Sequence, residues 1–475
     1  MIEPGGGAVG IDGDGHQVRS AATERTARVL RDPDPSLGRG RGSRAVAAAP
    51  LLGVVLLGVL MVVLFIRNYG PLSPLDEMEH IDYVHHLLDG DMVELGDTLD
   101  PATERAVACR GIDLPYQPPP CGGPYSTTDF PNAGYNTAYI HAPLYYGVTA
   151  AWFWVGQHVE LPGDDVSLMR SSGILWTVVT LTLMWGMLSA LQLSRLQRLA
   201  GCLLALASPT VVLALGTVTN DATALAVGAA VTWAVVRWNQ GRAPLWCVVV
   251  VCALGVLLKA TNIGVVGLAI AYVAIRAWQR QRAAAPGSQA GVKRVLWPVA
   301  AVVGGTAAVT VAWVLYQAAG ARISSAELPQ NATFVVGVFS PSWVFEELST
   351  FFMPLAPAFP APLRGGLIAS VGRLVSVAVA VLFVLGVAAR HRRDDIGALA
   401  GAAATALLGL GPLLVVVNWV TSGLHFDIPV RYGLSLVPAV IAVGVSAARG
   451  SRQQWALVCF TGVCCLTVLG HLALG

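Results

Sequence analysis

Long uninterrupted apolar runs are the feature that most constrains this chain. A helix needs about 18 to 20 apolar residues to cross the roughly 30 Å hydrocarbon core of a bilayer. Such runs predict about eleven membrane-spanning helices, near residues 45–66, 171–191, 199–218, 222–237, 244–258, 261–277, 295–318, 366–389, 396–419, 431–448 and 454–473. With 55% hydrophobic and only 12% charged residues among 475, we expect an all-α membrane protein and not a soluble enzyme.

The segment before the first span has a different composition. Residues 1–44 are rich in Gly, Arg, Asp and Ser, and they have no helical or alternating apolar pattern. We therefore expect a disordered cytoplasmic tail, followed by a polytopic transmembrane domain over 45–475. A cleaved signal peptide is not expected, because the first apolar run is long enough to span. The sequence predicts a multi-pass protein of the bacterial plasma membrane with a cytoplasmic N-terminus.

The distribution of basic residues orients the spans. Lys and Arg are enriched in cytoplasmic loops, and here they cluster in the tail and near 195–198, 237–242, 276–294, 390–393 and 449–452. Every cluster falls on the cytoplasmic side only if the aromatic-rich stretch 139–157 does not cross the membrane. We therefore predict that 139–157 is a helix lying along the outer surface. The alternative, an ordinary span in a protein that breaks the charge rule, stays open.

This topology places three loops outside the cytoplasm, at residues 67–170, 319–365 and 421–430. The first loop is strongly acidic, so functional residues are expected there, beside the helix bundle. Cys109 and Cys121 also lie in this loop, where a disulfide can persist. A disulfide and two free thiols both remain possible from the sequence.

Acidic residues crowd together just after the first span. Asp76, Glu77, Glu79, His80 and Asp82 fall within seven positions, in a stretch where Pro74 can open a helix. In a helix Asp76 and His80 share one face with Tyr83, and a carboxylate beside a histidine can act as a general base or hold a divalent cation. The alternative is helix capping on a solvated amphipathic helix.

Three further charged residues are predicted on the same side of the membrane. Asp221 lies at the junction of the third and fourth spans, Lys259 at the end of the fifth, and Arg431 at the start of the tenth. A charge flanked by apolar sequence is costly unless it is paired or functional, and a lipid phosphate would suit both cations. The alternatives are a helix cap for Asp221 and snorkelling to lipid headgroups for the two cations.

Other residues are weaker candidates. Arg322 and His425 lie on outer loops and are expected to be structural. The sequence contains no P-loop, dinucleotide-binding glycine motif, zinc-protease motif or serine nucleophile elbow. This pattern argues against an ATP-driven pump and against a nucleotide-sugar enzyme with a doubly wound domain.

Taken in order, several short motifs resemble the GT-C superfamily of polytopic membrane glycosyltransferases. Within it, the chain is similar to a bacterial family of predicted membrane proteins built on a domain of unknown function. The motifs are LDEMEH with Asp76, Glu77 and His80, HAPLYY from His141 to Tyr146, TND from Thr219 to Asp221, LLKATN with Lys259, and VRYGLSLVP with Arg431 and Tyr432.

The resemblance implies a GT-C-like fold and transfer of a sugar from a polyprenyl-phosphate carrier to a saccharide, lipid or protein acceptor on the outer face of the membrane. It implies catalytic roles for Asp76, Glu77 and Asp221, and substrate-binding roles for the five other residues His80, His141, Lys259, Arg431 and Tyr432. A divalent metal cation held by Asp76 and Asp221 is allowed, and no other cofactor and no nucleic-acid partner is expected.

A rival function is a non-catalytic transporter or flippase for a lipid-linked saccharide, for which we would expect inverted repeats and broken helices. A third is a structural member of a cell-envelope complex, in which Asp76 and Asp221 would not converge. The separation of these two carboxylates distinguishes the alternatives. A distance within about 10 Å, beside a groove of lipid size, favours the enzyme.

Overall fold

The computed structural model describes residues 41–283, 290–329, 331, 334, 338–356, 366–389 and 394–474. Within these ranges the protein is helical, without β-strands, and the only strand-like pairings are two isolated bridges, Leu72 with Ile112 and Thr98 with Tyr135. The prediction of an all-α membrane protein is therefore confirmed. The predicted disordered tail falls outside the described residues, except that the first helix already begins at Arg41.

Seventeen α-helices are described within these ranges. The first nine are α1 Arg41–Asn68, α2 Glu77–Leu88, α3 Pro101–Arg110, α4 Leu144–His158, α5 Asp165–Arg170, α6 Ser172–Ala190, α7 Arg195–Leu206, α8 Pro209–Gly216 and α9 Ala224–Asn239. The others are α10 Leu245–Leu258, α11 Ile263–Ala283, α12 Ala290–Gly320, α13 Ser342–Glu346, α14 Gly366–Ala388, α15 Asp394–Ser422, α16 Val437–Ser446 and α17 Ser451–Leu474.

Seven stretches in the described part are long and apolar enough to cross a membrane: Ala49–Asn68, Asp165–Ala190, Ala260–Arg282, Leu296–Gly320, Gly366–Ala388, Asp395–Ser422 and Ser451–Leu474. An eighth is obtained if α7 and α8 count as one span, although they meet at a bend of 68°. The predicted eleven include the three shorter helices α9, α10 and α16. The helix count is compatible with eleven crossings, and that number stays a prediction.

Two of the predicted spans are interrupted in the structure. The predicted span 199–218 is broken at Ser208, where Pro209 opens α8 because proline is well suited to the first turn of a helix. The predicted span 431–448 begins with a 3₁₀-helix, Val430–Leu436, before α16. Irregular backbone at such depth is tolerated only where protein or a cavity lines it. These breaks therefore mark the part of the bundle where polar groups collect.

The segment between α1 and α5, which the topology prediction places outside the cytoplasm and which we call the first outer segment, folds over one end of the bundle. It consists of α2, α3 and α4 joined by short 3₁₀ turns, and the Cys109–Cys121 disulfide is formed. Helix α4 corresponds to the predicted surface helix 139–157 and has 15 residues, fewer than a spanning helix needs. Its position along the membrane surface stays a prediction.

Helix α9 lies at the centre of the bundle. It contacts α6, α10, α11, α16 and the Val430–Leu436 turn, and most of its side chains are buried. Gly228 makes one of these contacts possible, because a Cβ at this position would collide with the carbonyl group of Ser435. The missing side chain lets the backbone of the 3₁₀ turn that bears Arg431 approach α9 closely.

Candidate active site

Three motif-bearing segments meet where helices are interrupted. The TND motif forms the 3₁₀-helix Asn220–Thr223, Lys259 ends α10 and precedes the 3₁₀-helix Ala260–Asn262, and Arg431 lies on Val430–Leu436. The last of these turns contacts both of the others. Segments that are spread over about two hundred residues of sequence thus present their charged side chains to one place.

These side chains form a linear set of alternating charges, which we call the charged quartet: Asp76, Arg431, Asp221 and Lys259. The Arg431 Nη2 atom lies 2.8 Å from Asp76 Oδ2, and its Nε atom lies 3.4 Å from Asp221 Oδ2. The other oxygen of Asp221 accepts a hydrogen bond from Lys259 Nζ. Because one guanidinium group contacts both carboxylates, they lie within about 10 Å of each other, which meets the first of the two conditions that favour the enzyme.

The quartet excludes the simpler roles that the sequence left open for its members. Asp76 is the N-cap residue of α2, but its side chain makes no capping hydrogen bond. In the TND turn it is the Thr219 hydroxyl that accepts from the Asp221 backbone, at 3.3 Å. The side chains of Lys259 and Arg431 are only 4% and 13% exposed and pair with carboxylates instead of extending to headgroups.

Asp76 stands apart from the rest of the quartet in exposure and backbone conformation. Its side chain is 52% exposed, compared with 7% for Asp221. Its backbone has φ 61° and ψ 18°, in the left-handed region that side-chain-bearing residues seldom adopt. Strained backbone of this kind is concentrated at functional sites. Asp76 is thus the quartet member that is most accessible to a ligand.

Glu77 has a different environment from its neighbour. Its carboxylate binds Arg170 through two hydrogen bonds of 2.8 Å, and both side chains are fully buried. The same two oxygens accept from the backbone N–H groups of Ser73, at 2.7 Å, and Val218, at 2.9 Å. Because Glu77 reaches back to Ser73, α2 begins at Glu77 and not at Pro74. The carboxylate is fully engaged, and the predicted catalytic role stays untested.

Two histidines lie beside the quartet. His80 Nδ1 and the Tyr146 hydroxyl are 2.7 Å apart, and the ring of His80 stacks on that of His141 with centroids 5.7 Å apart. Burial lowers the pKa of both imidazoles, to about 3 for His141, where nearby Lys259 lowers it further. Both rings are therefore neutral at physiological pH. His141 Nδ1 has no hydrogen-bond partner among the described residues.

Glu79 is an acidic residue of a different kind. It is buried, and its side chain accepts a hydrogen bond of 3.3 Å from Asn132. Burial, followed by the negative charge of Asp76, raises the pKa of Glu79 to about 8. One turn of α2 thus contains an exposed carboxylate paired with arginine and a buried carboxyl group that keeps its proton at neutral pH.

An apolar cleft adjoins the quartet. Asp221 and Arg431 line it together with apolar side chains such as those of Leu213, Ala214 and Leu434. The cleft is narrow, with a cavity volume of only about 10 Å³, which is far too small for a prenyl chain in this conformation. Tyr432, next to Arg431, has its ring 5.1 Å from Lys259 Nζ, so an aromatic face lies against the buried cation. The site therefore combines fixed positive charge with a neighbouring apolar surface.

The carboxylates of Asp76 and Asp221 are not arranged to bind a metal ion in this structure. No group of three or more His, Cys, Asp or Glu side chains in the described part of the chain could hold one. Arg431 stands between the carboxylates of Asp76 and Asp221, and Lys259 takes the remaining oxygen of Asp221. A divalent cation would compete with two resident cations for these oxygens. The metal stays an untested prediction.

The two weaker candidates have structural surroundings. Arg322 Nη1 lies 2.6 Å from Asp97 Oδ1 and so ties the end of α12 to the first outer segment. His425 stacks on Trp343, with ring centroids 3.9 Å apart. Neither residue contacts the charged quartet.

One important residue was not predicted. Arg170 donates to Glu77 and also to the backbone carbonyl groups of Tyr69 and Pro71, at 2.6 Å each. A signal was present, because Arg170 directly precedes an apolar span on the side where the charge rule disfavours arginine. An arginine in that position needs a partner.

The fold and the site define a class of protein: a multi-pass helical membrane protein with a charged site at interrupted helices. Two solved structures of ArnT from Cupriavidus metallidurans resemble the chain. The structure bound to undecaprenyl phosphate is 16% identical with a TM-score of 0.47, and it aligns over 88% of this chain and 62% of its own. The apo structure is 17% identical with a TM-score of 0.44, over 87% and 62%.

This similarity is limited in extent. The chain spans less than two thirds of the length of either ArnT structure, and TM-scores below 0.5 carry no argument about its activity. No protein-family model and no curated protein matches the chain. The narrower resemblance to the bacterial family with a domain of unknown function is therefore without support. The function has to be inferred from the site.

Proposed function

We propose that this protein is a GT-C-type glycosyltransferase that moves a sugar from a polyprenyl-phosphate carrier to an acceptor on the outer face of the membrane. The observation that supports this most is the charged quartet beside an apolar cleft. The cations suit the phosphate of the carrier, and the apolar lining suits the adjoining part of its prenyl chain, for which the cleft would have to widen. The acceptor would be a saccharide, a lipid or a protein of the cell envelope.

In the proposed reaction, an acceptor hydroxyl oxygen attacks the anomeric carbon of the carrier-bound sugar. The bond between that carbon and the phosphate oxygen breaks, and its electron pair stays on the phosphate. The hydroxyl proton passes to the carboxylate of Asp76. General base catalysis of this kind contributes about 10²–10⁴-fold. The reaction balances without an oxidant, a reductant or a metal.

The cations stabilise the leaving group. The carrier phosphate gains a negative charge as it departs, and preorganised cations in a water-poor site stabilise that charge more than they stabilise the substrate. Arg431 can bind phosphate through two parallel hydrogen bonds, whereas Lys259 acts as a point charge. Asp221 would hold both cations in place, because each of its oxygens contacts one of them.

The remaining predicted residues have supporting roles in this proposal. The neutral His141 offers an unpartnered Nδ1 atom to a sugar hydroxyl, and His80, held by Tyr146, fixes the orientation of its ring. Tyr432 lies against Lys259 and shields the carrier phosphate from water. Glu77 anchors the start of α2 through Arg170 and so positions Asp76.

The test is release of free carrier by the purified protein from a panel of polyprenyl-phosphate sugars. We expect Asp76→Asn to lower the rate by at least about 100-fold with an unchanged melting temperature. Asp164→Asn is the matched control, because Asp164 is also a half-exposed aspartate paired with an arginine, Arg110, but lies away from the quartet. Full activity in Asp76→Asn would exclude this residue as the base. Addition of a chelator tests the divalent metal.

One observation favours a second candidate, the transporter or flippase of lipid-linked saccharide. The bend of 68° between α7 and α8 is a broken helix of the type that such proteins use. Proteoliposomes distinguish the two functions. A transporter moves the labelled lipid between leaflets with its sugar still attached, whereas the enzyme releases carrier only when an acceptor is present.

A further inference from the structure

We propose that the carboxylate of Asp76 occupies the place of the carrier phosphate on Arg431, so that binding of the carrier frees Asp76 to act as the base. The inference rests on the proposed function and adds an order of events to it. Without carrier, the carboxylate is held in an ion pair. When the carrier is bound, its phosphate binds the Arg431 guanidinium group, and the Asp76 carboxylate rotates toward the acceptor.

The two carboxylates on Arg431 differ in how firmly they are held. Asp221 is buried, and its two oxygens contact two different cations. Asp76 is half-exposed, and Arg431 Nη2 is its only side-chain hydrogen-bond partner among the described residues. An exposed ion pair contributes little stability. The contact with Asp76 is therefore the one that an incoming anion can displace.

The cleft lies on a side of Arg431 that is free of Asp76. Arg431 lines it, and so do Leu75 and Leu434, but the Asp76 side chain does not. A phosphate that approaches the guanidinium from this side is therefore not blocked by Asp76. A phosphate can engage the fork of arginine through two parallel hydrogen bonds, compared with the single contact of Asp76.

The exchange also preserves charge. The sugar-phosphate diester carries one negative charge, the same as the Asp76 carboxylate that it replaces on Arg431. The released carboxylate regains its solvent-facing position and can accept a proton. Asp76 is already in a left-handed backbone conformation at the start of α2, so a rotation of its side chain suffices.

The test measures binding of undecaprenyl phosphate, which carries no sugar and cannot react, to the full-length protein in detergent. We expect Asp76→Asn to bind it about two- to fivefold more tightly than wild type, the equivalent of losing one competing exposed ion pair. Asp164→Asn should bind as wild type does. Undecaprenol, which lacks the phosphate, should bind equally to all three proteins.

A double-mutant cycle separates competition at Arg431 from a general effect of charge. If Asp76 competes through this arginine, Asp76→Asn gives no gain in the Arg431→Gln background. Weaker or unchanged binding by Asp76→Asn, or a gain that persists in that background, overturns the inference. Failure of the wild-type protein to bind undecaprenyl phosphate at all instead overturns the proposed function, so the two failures are distinguishable.

Discussion

Asp76 and Glu77 are consecutive acidic residues, and each is paired with an arginine, yet their surroundings are opposite. The Glu77–Arg170 pair is fully buried, and four hydrogen bonds use both carboxylate oxygens. The Asp76–Arg431 pair has one hydrogen bond and a half-exposed carboxylate. The two pairs show that adjacent residues of one motif can divide between holding the fold and meeting a ligand.

The difference follows from the helix that begins between them. Glu77 is the first residue of α2 and turns inward, where it accepts the backbone N–H groups of Ser73 and Val218. Asp76 precedes the helix in a left-handed conformation, which directs its side chain to Arg431. The Asp76 carboxylate has no other side-chain partner among the described residues, so another anion can replace it on Arg431. The Glu77 carboxylate has hydrogen bonds to both oxygens and cannot be replaced in this way.

The largest expected effect on stability is at the buried pair. Glu77→Gln leaves the Arg170 charge buried and unpaired, a change that costs about 3–5 kcal/mol. We expect a large fall in melting temperature of the detergent-solubilised protein, and activity should fall by more than the folded fraction does, because Glu77 also positions Asp76. The same type of substitution in the exposed Arg110 pair, Asp164→Asn, should cost less than about 1 kcal/mol. Equal costs for the two variants would show that burial does not make the Glu77–Arg170 pair more important for stability than the Asp164–Arg110 pair.

A smaller effect of opposite sign is expected at Asp76. Asp76→Gly removes the cost of a left-handed residue with a side chain and should stabilise the protein by up to about 1 kcal/mol. It should also abolish transfer, because the carboxylate is gone. Ala133→Gly is the matched control, since Ala133 has φ 53° but no role in the reaction, and it should gain similar stability with full activity. A loss of stability in Asp76→Gly would show that the ion pair outweighs the strain.

The third effect is a pH dependence of stability that arises at Glu79. Its pKa is about 8 in the fold, compared with an ordinary value of 4.5. The folded protein therefore keeps a proton that the unfolded chain releases, so this contribution is complete below the ordinary pKa and is lost as the pH rises through the raised one. We expect the melting temperature to fall by several degrees between about pH 5 and pH 9, and to fall less in Glu79→Gln. Substitution of the exposed Glu160 by Gln should leave the wild-type profile unchanged.

The sequence contains most of what is needed to predict the bundle, because span length and hydropathy are local properties. Charge flanked by apolar sequence also led to Asp221, Lys259 and Arg431, which lie together with Asp76 in the structure. Sidedness made their convergence predictable. Which of these charged side chains pair with each other was not predictable, since the pairing depends on three interrupted helices whose 3₁₀ turns have no strong sequence signal.

The remaining differences come from contacts made at long range. Whether Glu77 is catalytic or buried depends on Arg170, which lies 93 residues away and beyond the reach of helical periodicity. Similarly, the sequence around Ser208 looks like one continuous apolar span. Pro209 is in fact the first residue of a new helix, so the span is broken there. A search for arginines that break the charge rule would have found the first of these, and a search for proline within predicted spans the second.

The cross-link between Cys109 and Cys121 carries information about compartment. It lies in the first outer segment together with α2, and such bonds endure where glutathione and thioredoxin do not keep thiols reduced. A shift on non-reducing electrophoresis of protein taken directly from cells would identify the face of the membrane on which this segment matures. A bond that is present in cells would make the folding of the segment dependent on an oxidising compartment.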